Sequence, residues 1–218
     1  MHGFNEGIDN HFSLVVPGQP DCFMLNRFGP HWSEIQDDDL LIIDSDGNLV
    51  DGKGEWDPSA FFIHLAVHRT RPDAKCVLHT HMPYATAVSM TESGLDTLCS
   101  QNAMIFHKRH ARLAFGGIAD EQVEGLRIAT ALTGGASVAM LDGHGVLVVG
   151  DSVADAWYKL YFLERACEAQ VLATATGSPL IRVTEAMAAK TADQWDVARK
   201  PDALFAAVCR RLQNSAVT

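Results

Sequence analysis

Short, unbroken apolar runs closed by turn residues constrain this chain more than any other feature. Ser137–Leu141 and Val146–Val149 flank the turn Asp142-Gly143-His144-Gly145, and Cys76-Val77-Leu78 leads into His79-Thr80-His81. Such runs are too short for buried helices and lack the alternation of a half-wetted strand, so they read as strands covered on both faces. Helical patterns lie between them. Asp57-Pro58-Ser59 supplies a capping side chain and a first-turn proline for a helix through His68 that stops before Pro72. Pro83 opens a second helix, Tyr84–Met90, and Asp120–Leu132 is a third, closed by Gly134-Gly135. From Ser152 to Ala175, Val153, Trp157, Leu160, Tyr161, Cys167 and Val171 recur at helical spacing, and Pro201–Leu212 carries a last amphipathic stripe. Strands are expected at Phe12–Val16, Cys22–Leu25 and Leu40–Asp44, the last turning through Ser45-Asp46-Gly47-Asn48 into Leu49-Val50. The fold class is therefore α/β, a central, mostly antiparallel sheet covered by helices.

At 218 residues, 47% apolar and 20% charged, the chain reads as one domain over residues 1–218. A net charge of −10 argues against a nucleic-acid partner, since phosphates are neutralised by clustered Lys and Arg. No apolar run approaches the roughly 18–20 residues that cross a bilayer. The opening Met1-His2-Gly3-Phe4-Asn5-Glu6 lacks the basic start and apolar stretch of a secretory leader. Five scattered cysteines without a Cys-x-x-Cys pair argue against a disulfide framework or a zinc ribbon, and point to a reducing cytoplasm. Cys76, Cys167 and Cys209 sit in apolar surroundings as small core residues. Asp37-Asp38-Asp39 reads as a solvated loop.

The chemistry concentrates in histidine. Alternate residues of a strand face the same side, so His79 and His81 aim two imidazoles at one spot. Imidazole suits zinc, iron and copper, and His144 supplies a third candidate ligand, leaving a coordination position open to water or substrate. His64 and His68 form a second pair, at i and i+4 on one helical face; in an apolar segment they are expected to be buried and hydrogen-bonded, or to orient a ligand.

Arg71-Pro72-Asp73-Ala74-Lys75-Cys76-Val77-Leu78-His79-Thr80-His81 resembles the class II aldolase/adducin head-domain family. So do Gly143-His144-Gly145-Val146-Leu147-Val148-Val149-Gly150, the helix Asp155–Cys167 and the early loop Asn10-His11-Phe12-Ser13. The likeness runs over residues 3–175; residues 176–218 form a less similar C-terminal helical segment. It implies a three-layer α/β/α sandwich, a homotetramer, a small-molecule substrate and a divalent metal on His79, His81 and His144. Zinc is the expected ion, with Fe2+ as the alternative. It also implies a substrate-binding set of Asn10, His11, Ser13, Phe28 and Gly29, and an N-terminal helix upstream of residue 1.

Two departures shape the functional expectation. Aligned on Arg71-Pro72-Asp73, the glutamate that moves protons in the family's aldolases falls on Ala60, and alanine cannot do so. The phosphate loops carry Asn10-His11 and Phe28-Gly29 in place of smaller polar donors, which disfavours a phosphorylated sugar. Replacement acid/base candidates are His11, His31, His107 and Tyr84, with His107 near a family tyrosine that reaches a neighbouring subunit's site. Phe28, Trp32 and Phe106 are candidates to line a pocket. Three functions stay open: a metal-dependent carbon–carbon lyase on an unphosphorylated hydroxy- or oxo-acid or aldehyde, a non-haem iron oxygenase, and a non-catalytic assembly domain of the adducin type.

Overall fold

A computed structural model describes residues 3–117 and 122–215. The apolar runs do pair into one sheet of eight strands: β1 (His11–Val16), β2 (Gln19–Asn26), β3 (Leu40–Asp44), β4 (Leu49–Asp51), β5 (Cys76–Thr80), β6 (His110–Leu113), β7 (Val138–Leu141) and β8 (Gly145–Gly150). Their order is β4-β3-β2-β1-β5-β8-β7-β6. All described pairings are antiparallel except β6 with β7. β5 therefore lies mid-sheet, and all five of its residues are buried.

Among the described residues, seven α-helices accompany the sheet: α1 (Pro58–Thr70), α2 (Pro83–Ser89), α3 (Gln101–Met104), α4 (Gln122–Ala131), α5 (Val153–Thr174), α6 (Glu185–Ala198) and α7 (Pro201–Ser215). The strand period of two divides their work. Cys76, Leu78, Val146 and Val148 face α2, α3 and α5 and share a core with Phe106, Leu160 and Leu163. Val77, Leu147 and Val149 face the other way, onto Ile63 and Val67 of α1 and Ile128 and Ala129 of α4. This is the expected three-layer α/β/α sandwich. α1 and α4 approach closely: a Cβ on Gly125 would lie 2.4 Å from the Phe62 carbonyl oxygen.

α1 begins as expected, with Asp57 Oδ1 accepting from the Ser59 amide at 2.7 Å and Pro58 in the first turn. α2 is capped from outside its own segment. Its free Tyr84 and Ala85 amides donate to the buried Glu164 carboxylate of α5, at 3.0 and 2.8 Å.

Some expectations change. The start expected for α4 at Asp120 falls outside the described residues. Asp37–Asp39 forms a 3-10 turn, closed by the Asp39 amide on the Gln36 carbonyl at 3.0 Å and the Gln36 amide on the Asp39 carboxylate at 2.9 Å, with Asp37 and Asp38 exposed to solvent as expected. Cys209 is half-buried on α7 rather than in the core, while Cys76 and Cys167 are buried; all five thiols are free. Among the described residues, no helix is long and apolar enough to cross a membrane.

Candidate metal centre and its cleft

His79 occupies β5 on the side facing α1, and His81 follows just past the strand's end. His144 reaches them from the β7–β8 turn, whose glycines make the approach possible. Gly143 takes a positive φ of 65°, and a Cβ on Gly145 would fall 2.5 Å from the Thr80 carbonyl oxygen. The ring centroids of His79, His81 and His144 lie 4.8–4.9 Å apart, and one ligand nitrogen from each lies within 4.8 Å of the others.

Hydrogen bonds decide which nitrogens are free. His79 Nδ1 donates to the Val146 carbonyl at 3.0 Å, and His81 Nδ1 donates to the Glu6 carboxylate at 2.5 Å. In the neutral rings both Nε2 atoms then carry bare lone pairs, and they stand 3.1 Å apart. Such facing lone pairs repel unless a cation sits between them. A tetrahedral ion with bonds of about 2.05 Å holds its ligand nitrogens about 3.3 Å apart, so the donor set fits a divalent metal. Burial lowers the pKa of His79 well below that of free histidine, and lowers His144 too, which keeps both rings in the ligating form.

The three histidines open on a cleft of ≈ 360 Å³, lined also by Asp9, Asn10, His11, Asp57, Ser59, Ile63, Phe115 and Gly117. His11 stands directly across from His79 in the β1–β5 pairing, with ring centroids 4.8 Å apart. Asn10 adopts φ 80°; its Oδ1 accepts from the Glu6 amide at 3.1 Å, while its Nδ2 is buried with no hydrogen-bond partner among the described residues.

Behind His11, between β1 and α1, runs a line of buried polar side chains. His11 Nδ1 is 2.8 Å from His64 Nε2, and His64 Nδ1 is 2.5 Å from Ser13 Oγ. Ser13 Oγ is 2.8 Å from His68 Nε2, and His68 Nδ1 donates to the Ala74 carbonyl at 2.8 Å. Burial holds all three imidazoles neutral. It lowers His68 to about 4 and His64 well below its ordinary value, and lowers His11 to about 4 against the opposing pull of Asp57. His64 and His68 are thus buried and hydrogen-bonded, as expected of the pair.

Of the anticipated site residues, Asn10 and His11 join the three histidines in the cleft, and Ser13 lies buried beneath it. The others point elsewhere within the chain. Phe28 is 40% exposed and Gly29 lies beside it on a loop; neither lines the cleft. His31 is exposed and pairs with Ser33. Tyr84 packs with the core on the α5 side. His107 is buried, its Nδ1 bonded to Thr97 Oγ1 at 3.0 Å and its Nε2 3.2 Å from the Glu185 carboxylate of α6. Phe106 is core, and Trp32 packs on Phe12 with its indole N–H on the Asp9 carbonyl. Ala60 is buried among Phe23, Leu25 and Ile43. Not anticipated as site residues are Glu6, Asp9, Ile63, Phe115 and Gly117, together with Asp57 and Ser59, which the sequence marks only as a helix start. No local spacing ties Glu6 to His81, because 75 positions separate them.

The sequence profile of the Class II Aldolase and Adducin N-terminal domain matches residues 1–171. The chain belongs to that family. An aldolase II superfamily protein from Pseudomonas syringae has a similar crystal structure, at TM-score 0.89 and 34% identity over 97% of this chain and 86% of that one. L-fuculose 1-phosphate aldolase from Glaciozyma antarctica matches at TM-score 0.78 and 27% identity, over 88% of this chain and 74% of that one. A Pseudomonas aeruginosa protein named provisionally as an aldolase class 2 protein is 37% identical over 184 residues, 84% of this chain and 70% of its own. Human beta-adducin is 30% identical over 177 residues, 79% of this chain but 24% of the adducin.

Proposed function

We propose that this family member is a metal-dependent carbon–carbon lyase, of retro-aldol or decarboxylating type, acting on a small unphosphorylated hydroxy- or oxo-acid or aldehyde. The observation that carries the reading is the pair of bare Nε2 atoms on His79 and His81, 3.1 Å apart and joined by His144 at the floor of a cleft. A divalent ion held there, zinc by first choice and Fe2+ as the alternative, supplies positive charge against the oxygen that becomes anionic as the carbon–carbon bond breaks. The chain's own part is to orient and to exclude. Val146 and Glu6 fix the two rings through their Nδ1 protons, and Ile63 and Phe115 make part of the cleft wall apolar. Among the described residues the lining includes Asp9 and Asp57 but neither Lys nor Arg, which disfavours a phosphate dianion. With Ala60 sealed in the core, His11 is the uncharged base nearest the centre.

The active assembly is proposed to be a homotetramer, with His107, Tyr84 and His31 kept as further acid/base candidates, His107 as the one that would serve a neighbouring subunit's site. Elemental analysis of anaerobically purified protein tests the reading. One zinc per chain, lost in His79→Ala and His144→Ala together with turnover of hydroxy- or oxo-acids, is the expected result. One iron per chain with oxygen uptake would replace it by the oxygenase. The relation to beta-adducin supports a second reading, an assembly domain; failure to bind any metal after reconstitution would leave that one standing.

A further inference from the structure

The line of side chains behind His11 has only one consistent direction. The Ala74 carbonyl can only accept, so His68 Nδ1 carries a proton and, in the neutral ring, Nε2 does not. Ser13 must then give its single hydroxyl proton to His68 Nε2, and is left to accept from His64 Nδ1. His64 Nε2 is consequently bare and accepts from His11 Nδ1. The logic ends at His11 Nε2, which is left unprotonated.

The cleft does not satisfy that nitrogen. Ser59 Oγ lies 3.5 Å away, but it donates to Asp57 Oδ1 at 2.5 Å, so two acceptors face each other. Asn10, which lines the same cleft, has a buried Nδ2 donor with no hydrogen-bond partner among the described residues. An acceptor and a donor on one cleft suit a hydroxyl group, which can give to one and take from the other. Burying four polar side chains requires that each be bonded. His11, Ser13, His64 and His68 are 5%, 3%, 1% and 8% exposed, and apolar residues would fill the same space with no desolvation.

We propose that Ser13, His64 and His68 are positioning residues that lock His11 as its Nδ1–H tautomer, so that Nε2 is a fixed acceptor for a hydroxyl of the substrate beside the three-histidine centre. The choice of ligand rests on the small-hydroxy-substrate reading above; the relay does not. A histidine side chain in water prefers the Nε2–H tautomer, so three Nδ1–H rings in series are a signature of the hydrogen-bonded line.

The test is long-range 15N–1H correlation spectroscopy of the full chain at pH 7, as purified and after adding zinc. His11, His64 and His68 should each appear neutral with the proton on Nδ1; a His11 protonated on Nε2, or on both nitrogens, overturns the proposal without any variant. Ser13→Ala should release the His11 tautomer and Ser13→Thr should keep it; an unchanged His11 in Ser13→Ala removes the relay. Glycerate should shift the His11 Nε2 resonance while propionate, which lacks hydroxyls, should not. No shift with glycerate overturns the acceptor role. Failure to bind either zinc or Fe2+ sinks the lyase reading but leaves the tautomer pattern intact, so the two failures are distinguishable.

Discussion

The ring of His81 is held from outside the sheet, its Nδ1 proton on a carboxylate from the loop before β1. That bond fixes the tautomer and the ring's orientation, and such partners are worth about 10–100-fold in metal affinity. Glu6→Gln should weaken zinc binding by about tenfold, read by competition with a chromophoric chelator, with the circular dichroism spectrum unchanged. His68 sets a pH limit on the fold. Its native pKa is lowered to about 4, chiefly by burial, against the ordinary 6.5. Below pH 6.5 the unfolded chain takes up a proton that the native ring refuses until about pH 4. Stability should therefore drop as pH is lowered from about 6.5 to about 4, by up to about 1.4 kcal/mol per unit from this group, whose contribution then levels off. Urea midpoints at successive pH values check it; His68→Phe should flatten the slope. His79, His81 and His144 could be picked out in the sequence because strand period and a glycine-flanked turn are local signals. Ser13 and Glu6 could not be assigned their partners, because each acts on a ring supplied by a distant segment.

The turn between β7 and β8 shows how much of the centre depends on backbone approach. Gly145→Ala would push its methyl into the Thr80 carbonyl and toward His81 Cδ2, 2.8 Å away. The expected result is a loss of about 1–3 kcal/mol, as for overpacking, together with loss of metal binding. Thermal unfolding and metal content of one preparation measure both. Elements with a strong pattern were readable: β5, β8, α1 and α5 fall within a residue or two of their expected bounds. Those missed had weak patterns. β6 is His110-Ala111-Arg112-Leu113, with a single buried residue, and becomes a strand only by pairing parallel to β7. α3 is a single turn, and α6 buries only Ala188 and Ala192, too few to draw an apolar stripe.

Across the whole molecule, a ligand that binds only the native state stabilises it by mass action, about 4 kcal/mol at a thousandfold excess over Kd. For a chain of this size, saturating zinc should raise Tm by on the order of 10 °C. His79→Ala should abolish the shift in a differential scan. The mid-sheet position of β5 also has a kinetic meaning. His79 is flanked by β1 and β8, each recruited across a long stretch of chain, and His144 enters only with the β7–β8 turn. Pairings between distant segments close late in folding, because loop entropy is lost before their contacts form. The ability to capture an ion should therefore emerge after most helical signal has returned. In stopped-flow refolding with a fluorescent zinc indicator, metal uptake should lag far-ultraviolet circular dichroism, so a nascent chain would leave cellular metal untouched until its sheet is complete.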